Sequence, residues 1–237
     1  MQFVGVASRV TKAFFAATVL LASGWALAQV CATPQKDGDK TSSAGEVVNG
    51  YYTPANGTYA AGTLPTIALS NARGTSGAFA VGDLALIIQM QCVDLNMTDT
   101  DAYGDGVSGF PASGYLETSG TCRAGQYEYV PAGAGTTPTS FVAGAALQKT
   151  YVQANPTTTL ARRSFQIVRV PQYANLTLGG QLNGVAWDGF NGGLVALDVA
   201  KNTGFGGQTI YLAAQGFRGA GGRQSGAVNG NNPYRYN

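Results

Sequence analysis

Apolar residues in this chain come in short runs broken by glycine, proline and asparagine. Where a period can be read it is two, the period of strands. Residues 84–91, LALIIQMQ, are almost continuously apolar, as expected of a strand covered on both faces. Residues 163–170, RSFQIVRV, make the second strong strand, stopped by Pro171. In residues 126–130, QYEYV, Tyr127 and Tyr129 alternate with Gln126, Glu128 and Val130, so that strand has two unlike faces. Shorter strands are expected over 47–52, 66–69, 79–81, 140–142, 145–152 and 173–178, with a turn at Asn56-Gly57 and a loop over 71–77. Residues 92–121 form a long polar excursion between two strands.

Two further apolar runs, LVALDVA and QTIYLAAQG, are each opened by a Gly-Gly pair, Gly192-Gly193 and Gly206-Gly207. Their offset is 14 residues, which fits one coil of a β-solenoid better than a helical hairpin. A coil buries its apolar row only against the next coil, so about three or more are needed for stability. Two are visible, followed by Asn-Pro-Tyr-Arg-Tyr-Asn with no cap. The expectation is that the chain is the front piece of a longer protein. Trp187, just before these runs, is expected to plug the junction by packing.

The N-terminus has a different pattern. Arg9 and Lys12 precede an uninterrupted apolar run over 13–27, and Ala26-Leu27-Ala28 is a small-x-small cleavage site. These are the parts of a secretory signal peptide, giving a mature chain that begins at Gln29. The run is shorter than the roughly 20 residues of a transmembrane helix, and no later segment is apolar enough to span a bilayer. Residues 29–45 are polar and without period, and read as a disordered or loosely attached leader. The predicted fold class is therefore mainly β. A compact sandwich- or barrel-like β domain over 46–170 follows the signal peptide (1–28) and leader (29–45), and the start of a glycine-rich parallel β-solenoid occupies 171–237.

Composition narrows the function classes. Without Arg9 and Lys12 the chain carries 12 basic and 12 acidic residues, so no basic stripe is available for nucleic acid. Charged residues are 11% of the chain, against 34 glycines; average domains are about 25% charged. Uncharged, turn-rich surfaces of this kind fit extracellular β-structure. Histidine is absent, which removes the usual nucleophile–histidine machinery and most transition-metal sites. No Walker loop, dinucleotide fingerprint or CxxC pair is found. Cys92 and Cys122 enclose the polar excursion and are the expected disulfide, a closure that stabilises by about 3–4 kcal/mol on the chain-entropy model. Cys31 is left over, either free or paired elsewhere.

Several residues carry candidate chemistry. Asp94, Asn96, Asp99, Asp101 and Asp105 supply hard oxygen ligands in a loop with Gly104 and Gly106, a donor set that suits Ca²⁺. Tyr103 and Phe110 occupy ligand positions of an EF-hand register, and the competing reading is that these acids cap turns. Asp188 and Asp198 are a candidate carboxylate pair for polysaccharide hydrolysis or lyase chemistry; the competing reading is surface and turn acids. Arg162, Arg163 and Arg169 are read as edge charges that block strand addition, or as a grip on an acidic glycan. Tyr51, Tyr52, Tyr127 and Tyr129 would stack on sugars if they shared an exposed face; the competing reading, and the commoner outcome, is core packing or a solvent-facing tyrosine ladder.

The order GDLALIIQMQ, TDAYGDG, YEYV, RRSFQIVRVPQY, AWDGFNGGLVALDVA and GFRGAGGR resembles the N-terminal region of large bacterial secreted, adhesin-like surface proteins. The resemblance covers residues 46 to 237. In such proteins the GFRGG-like segment opens a longer glycine-rich β region, and Ala220 stands here where a glycine is common. The resemblance implies export and a structural or adhesive role, and transfers no site residue. Three functions are carried forward: a non-catalytic surface protein whose partners are cell-surface glycans or proteins, a β-solenoid polysaccharide hydrolase or lyase, and a glycan- or calcium-binding module with Ca²⁺ as the one candidate cofactor.

Overall fold

The computed structural model describes residues 32–92, 94–95, 116–117, 122–157 and 162–217. The expected signal peptide, Cys31, most of the polar excursion and the segment after Phe217 lie outside these residues. The described chain is mainly β, and no helix is found in it. Its strands are β1 (Gly38–Ser42), β2 (Gly50–Pro54), β3 (Gly57–Tyr59), β4 (Thr66–Gly74), β5 (Leu84–Gln91), β6 (Asp94–Leu95), β7 (Leu116–Glu117) and β8 (Tyr127–Pro131). They continue with β9 (Ser140–Val142), β10 (Tyr151–Gln153), β11 (Ser164–Val170), β12 (Gln172–Leu178), β13 (Leu182–Asn183), β14 (Asp198–Val199), β15 (Thr203–Gly204) and β16 (Ile210–Tyr211).

The two strongest sequence patterns form the centre. β5 and β11 pair antiparallel, Ile167 opposite Ile87 and Val168 opposite Leu86. They lie inside a six-stranded antiparallel sheet, ordered β8-β5-β11-β2-β4-β9, which curls into a half-barrel. Alternate residues of β5 enter different cores. Ala85 and Ile87 join Tyr52, Ile67, Phe79, Val130, Phe141, Leu147, Tyr151, Phe165 and Ile167 on one face. Leu86 joins Tyr51, Val168, Val170 and Ala196 on the other. The first core is rich in rings: Tyr52–Phe79 and Phe79–Phe141 centroids are 5.0 and 5.4 Å apart, tilted as aromatic pairs prefer. No strand forms at 79–81 or 145–148; Phe79 and Leu147 instead close this core from loops. Cys92 and Cys122 form the expected disulfide, with Cα atoms 5.8 Å apart.

The leader differs from the expectation. Residues 38–42 are β1, parallel to β12, with Lys40 opposite Leu176 and Ser42 opposite Leu178. The reason is electrostatic. Arg169 Nη2 donates to Asp37 Oδ1 at 2.6 Å, and Asp37 Oδ2 accepts the Gln172 backbone N–H at 2.7 Å. Arg169 Nε and Nη2 also hold both oxygens of Asp83, at 2.9 and 3.2 Å, and Lys36 Nζ reaches Asp83 at 2.6 Å. Arg169 is thus a buried charge on a central strand, not an edge charge.

β12 pairs parallel on its other side with β14 and β15, Gln172 opposite Asp198 and Leu176 opposite Thr203. β13 pairs parallel with β16, Leu182 opposite Ile210, and a parallel bridge joins Glu46 to Leu182. Three tiers therefore lie in parallel order: 38–46, 172–183 and 198–211. Val48, Tyr173, Leu176, Leu178 and Leu182 pack in their interior. The spacing of the two Gly-Gly pairs is not the stacking repeat: Gln172 pairs with Asp198, 26 residues on.

The run after Gly192-Gly193 is likewise not a paired strand over 194–197. It is a strap across the second face of the sheet, held by the side chains of Asn49, of alternate β2 positions and of β11. Asn191 Nδ2 donates to Thr53 Oγ1 at 3.1 Å, and Tyr51 Oη donates to the Leu194 carbonyl at 2.6 Å. Asn49 accepts the Ala196 N–H at 3.1 Å and donates to its carbonyl at 2.7 Å. Gln166 does the same for Gly192, at 2.8 and 3.0 Å. An amide side chain has the donor–acceptor pair of a peptide group, so these residues supply what a neighbouring strand would. Gly192 and Gly193 have φ of 95° and 78°. A Cβ on Gly192 would sit 2.7 Å from the Ala186 carbonyl oxygen, so glycine is required at this corner.

Candidate functional site

The tyrosines separate into two classes. Tyr51 and Tyr52 are buried on opposite faces of β2, and burial pushes the Tyr51 hydroxyl up to about 12. Tyr127 and Tyr129 are 54% and 47% exposed. They lie on β8, an end strand of the sheet, opposite Ile88 and Leu86. The alternation in QYEYV sets this: Glu128 and Val130 turn to the other side, where Glu128 accepts the Gln148 and Lys149 backbone N–H groups at 2.9 and 3.1 Å.

The two exposed rings stand edge-to-face, 84° apart in plane, with centroids 6.2 Å apart. They form a corner of two aromatic faces beside the strap. Asp198 is near enough for its charge to act on the Tyr129 hydroxyl. Its carboxylate accepts Gln172 Nε2 at 3.3 Å. The Tyr129 hydroxyl is raised above its ordinary value by burial first, then by Tyr127 and by the negative charge of Asp198. The site therefore combines two ring faces, which pack on apolar C–H surfaces, with a carboxylate that accepts hydroxyl protons. A negative charge there disfavours anionic ligands. Polar rings left exposed in pairs are typical of contact surfaces.

The remaining candidates go elsewhere. Asp188 is engaged in its own turn: Oδ1 accepts the Phe190 and Asn191 N–H groups at 2.8 and 2.9 Å. Its Oδ2 accepts from Asn71 and lies 3.1 Å from Arg73 Nη1. Burial works to raise this carboxyl, but those hydrogen bonds and Arg73 hold it below the carboxylate range. Asp188 and Asp198 thus serve different partners, Asp188 near β4 and Asp198 near β12 and β8. Arg162 stacks over Phe190, 4.5 Å from the ring centroid, and Arg163 bridges to Ala154 at the entry to β11. Trp187 is buried, with its ring 5.2 Å from that of Phe217, as expected of a junction plug. Of the calcium set, Asp94 lies in β6, paired with Glu117 in β7. Asn96, Asp99, Asp101 and Asp105 lie outside the described residues. Among the described residues no group of three or more His, Cys, Asp or Glu side chains could hold a metal ion.

Sequence reasoning missed the place of Asp198 at the tyrosine corner, which depends on the strap's path over the sheet. It also missed the buried Asp37–Arg169–Asp83–Lys36 cluster; its only local signal was that Arg169 interrupts an otherwise apolar run. No protein-family model, curated protein or solved structure matches this chain.

Proposed function

We propose that this chain is a secreted bacterial surface protein with a structural and adhesive, non-catalytic role, and that the Tyr127–Tyr129 corner is its contact for neutral glycans. The observation that carries the reading is the pair of exposed rings at right angles, with the charge of Asp198 acting on the Tyr129 hydroxyl. A saccharide places its C–H face on one ring and its edge on the other, with a hydroxyl donating to Asp198. The low charge and high glycine content and the disulfide support an extracellular destination, with the mature chain starting at Gln29. The three parallel tiers support a finer fold reading: they are the start of a glycine-rich β-solenoid, with the leader strand as its first rung.

The test is a glycan array probed with the mature chain, beside the Tyr127→Ser/Tyr129→Ser variant. The reading expects neutral glycans to be retained over acidic ones. The variant should lose at least about tenfold in affinity with an unchanged melting temperature, since both side chains are half exposed. Equal binding by the variant, or no binding to any glycan, overturns it. Release of reducing ends or unsaturated products from a polysaccharide panel would move the protein to the hydrolase or lyase class.

A further inference from the structure

The parallel ladder has two unlike edges. One is β1, and the first tier around it carries Asp37, Asp39, Lys40 and Glu46, with Lys40 and Glu46 ion-paired. Charged, short edge strands of this kind resist addition of another strand. The other edge is β14, β15 and β16. Among the described residues no strand pairs with them on the side away from β12 and β13. Residues 199–217 carry one formal charge, Lys201. Every residue from 201 to 209 is exposed, and so are the rings of Phe205, Tyr211 and Phe217.

The backbone of this edge is aimed outward. In a parallel ladder a residue bonds to the two neighbours of its partner, so the partner's own N–H and C=O point the other way. Leu176 is opposite Thr203 and donates to the Asn202 carbonyl at 2.9 Å. Leu182 is opposite Ile210 and donates to the Thr209 carbonyl at 3.0 Å. Tyr173 is opposite Val199 and accepts the Ala200 N–H at 3.0 Å. The peptide groups of Val199, Thr203 and Ile210 therefore face the uncovered side. The side chains of Val199 and Ile210 continue the interior row of Tyr173 and Leu182, while Thr203, opposite Leu176, is exposed. Val199 and Ile210 are only half-buried against it, and among the described residues no strand pairs above them.

We propose that this edge is a docking seat for a fourth parallel tier, an uncharged extended polypeptide segment with glycine corners, apolar residues in register with Val199 and Ile210, and a backbone that pairs with Val199, Thr203 and Ile210. The occupant follows from continuity. The second and third tiers are each laid on the one before in the same parallel direction, and the third presents the same row of peptide groups and apolar side chains. A helical partner would leave those peptide groups unpaired, and a charged strand would set its charges against the exposed rings of Phe205 and Tyr211. This inference rests on the solenoid reading above.

The experiment appends a copy of the third tier, residues 197–215, to the C-terminus of the full chain through a flexible linker, which gives millimolar effective concentration. Amide hydrogen exchange is then read residue by residue. The N–H groups of Val199, Thr203 and Ile210 should slow about tenfold or more, with β5 and β11 unchanged. Thr203→Pro should cancel the gain at the neighbouring edge amides, because it removes an outward donor and leaves the Leu176–Asn202 bond in place; Tyr211→Lys should weaken it by replacing an exposed ring with a charge. No slowing on appending the copy overturns the proposal. So does protection of these amides already present in the unmodified monomer, or protection that tracks formation of a dimer, which would assign the edge to a second copy. Rapid exchange of the Leu176 and Leu182 N–H groups in the unmodified chain would instead show that the ladder reading itself fails.

Discussion

The curled sheet and the parallel ladder solve the same problem by different means. The sheet buries rings and branched side chains on both faces; Tyr51, Tyr151, Phe141, Phe165, Ile67, Ile87 and Ile167 are fully buried in it. The ladder has short strands and a thin interior of five buried residues. What it lacks in apolar mass it draws from attachments to the sheet: the strap held by Asn49 and Gln166, and the ion cluster around Arg169. The difference teaches which region can stand without the other. The sheet's first core involves no residue of the ladder. The ladder's first rung and its strap are both fixed by residues of the sheet.

The sharpest break falls on the sheet. Phe165 is fully buried between Tyr59 and Tyr151, with centroids 5.6 Å away on each side. Phe165→Ala should cost about 4 kcal/mol through lost transfer energy and the cavity left behind. Denaturant unfolding should show both regions lost together, because the ladder's supports go with the sheet. A ladder that persists after the sheet melts would break the comparison.

Asp83→Asn acts on the link between the regions. It leaves Arg169 and Lys36 facing a neutral group in a buried site, at a cost of about 3 kcal/mol. The wild-type pH profile carries the same information. Burial works to raise the Asp83 carboxyl, but hydrogen bonds from Arg169, Lys36 and the Ala80 N–H outweigh it and hold the group below its ordinary value. Its contribution is therefore complete above the unfolded carboxylate value, about 4, and is lost as pH falls through the lower folded value. Melting temperature should fall steeply below about pH 4 in the wild type and less steeply in Asp83→Asn. Equal slopes would remove Asp83 from the link.

Leu182→Ala tests the ladder from inside. Leu182 is fully buried between Glu46 and Ile210. Its loss should cost about 2–3 kcal/mol, expressed locally. Hydrogen exchange should speed up in β1, β12, β13 and β16 and stay unchanged in β5 and β11. A uniform increase across the chain would mean that sheet and ladder form one cooperative unit.

These contrasts also explain what could be read from the sequence. LALIIQMQ and RSFQIVRV announced the two central strands, because a continuous apolar run is what double coverage requires. QYEYV announced a strand with two unlike faces, because period two is local, but which face meets solvent is set by what packs on the sheet. LVALDVA was misread because a strap and a strand present the same apolar alternation. Its backbone partners are amide side chains far away in the chain, and Asn49 lies 147 residues before Ala196. The leader was misread because a short polar strand has no pattern of its own; its anchor, Arg169, is 132 residues from Asp37. The tiers were counted at the wrong repeat because glycine pairs mark corners, and the first of these corners opens the strap.

The smallest expected effect on stability is at the tyrosine corner, and it separates function from fold. Tyr127 is about half exposed and borders the second core without entering it. Tyr127→Ser removes one ring of an edge-to-face pair, a contact of about 0.5–1.5 kcal/mol when buried and less where water reaches both rings. Thermal melting should therefore shift by no more than the scatter of surface substitutions, about 0.5 kcal/mol. The same variant should lose the neutral glycan, because a corner needs both faces. Tyr51→Phe is the complementary change: it keeps the ring but removes the hydroxyl that donates to the Leu194 carbonyl, so it loosens the strap and leaves the corner's rings in place. If Tyr127→Ser abolishes glycan retention at unchanged melting temperature while Tyr51→Phe lowers melting with retention intact, the exposed pair is a contact surface. If both lower melting and retention together, the corner is part of the fold, and the adhesive site must be sought elsewhere.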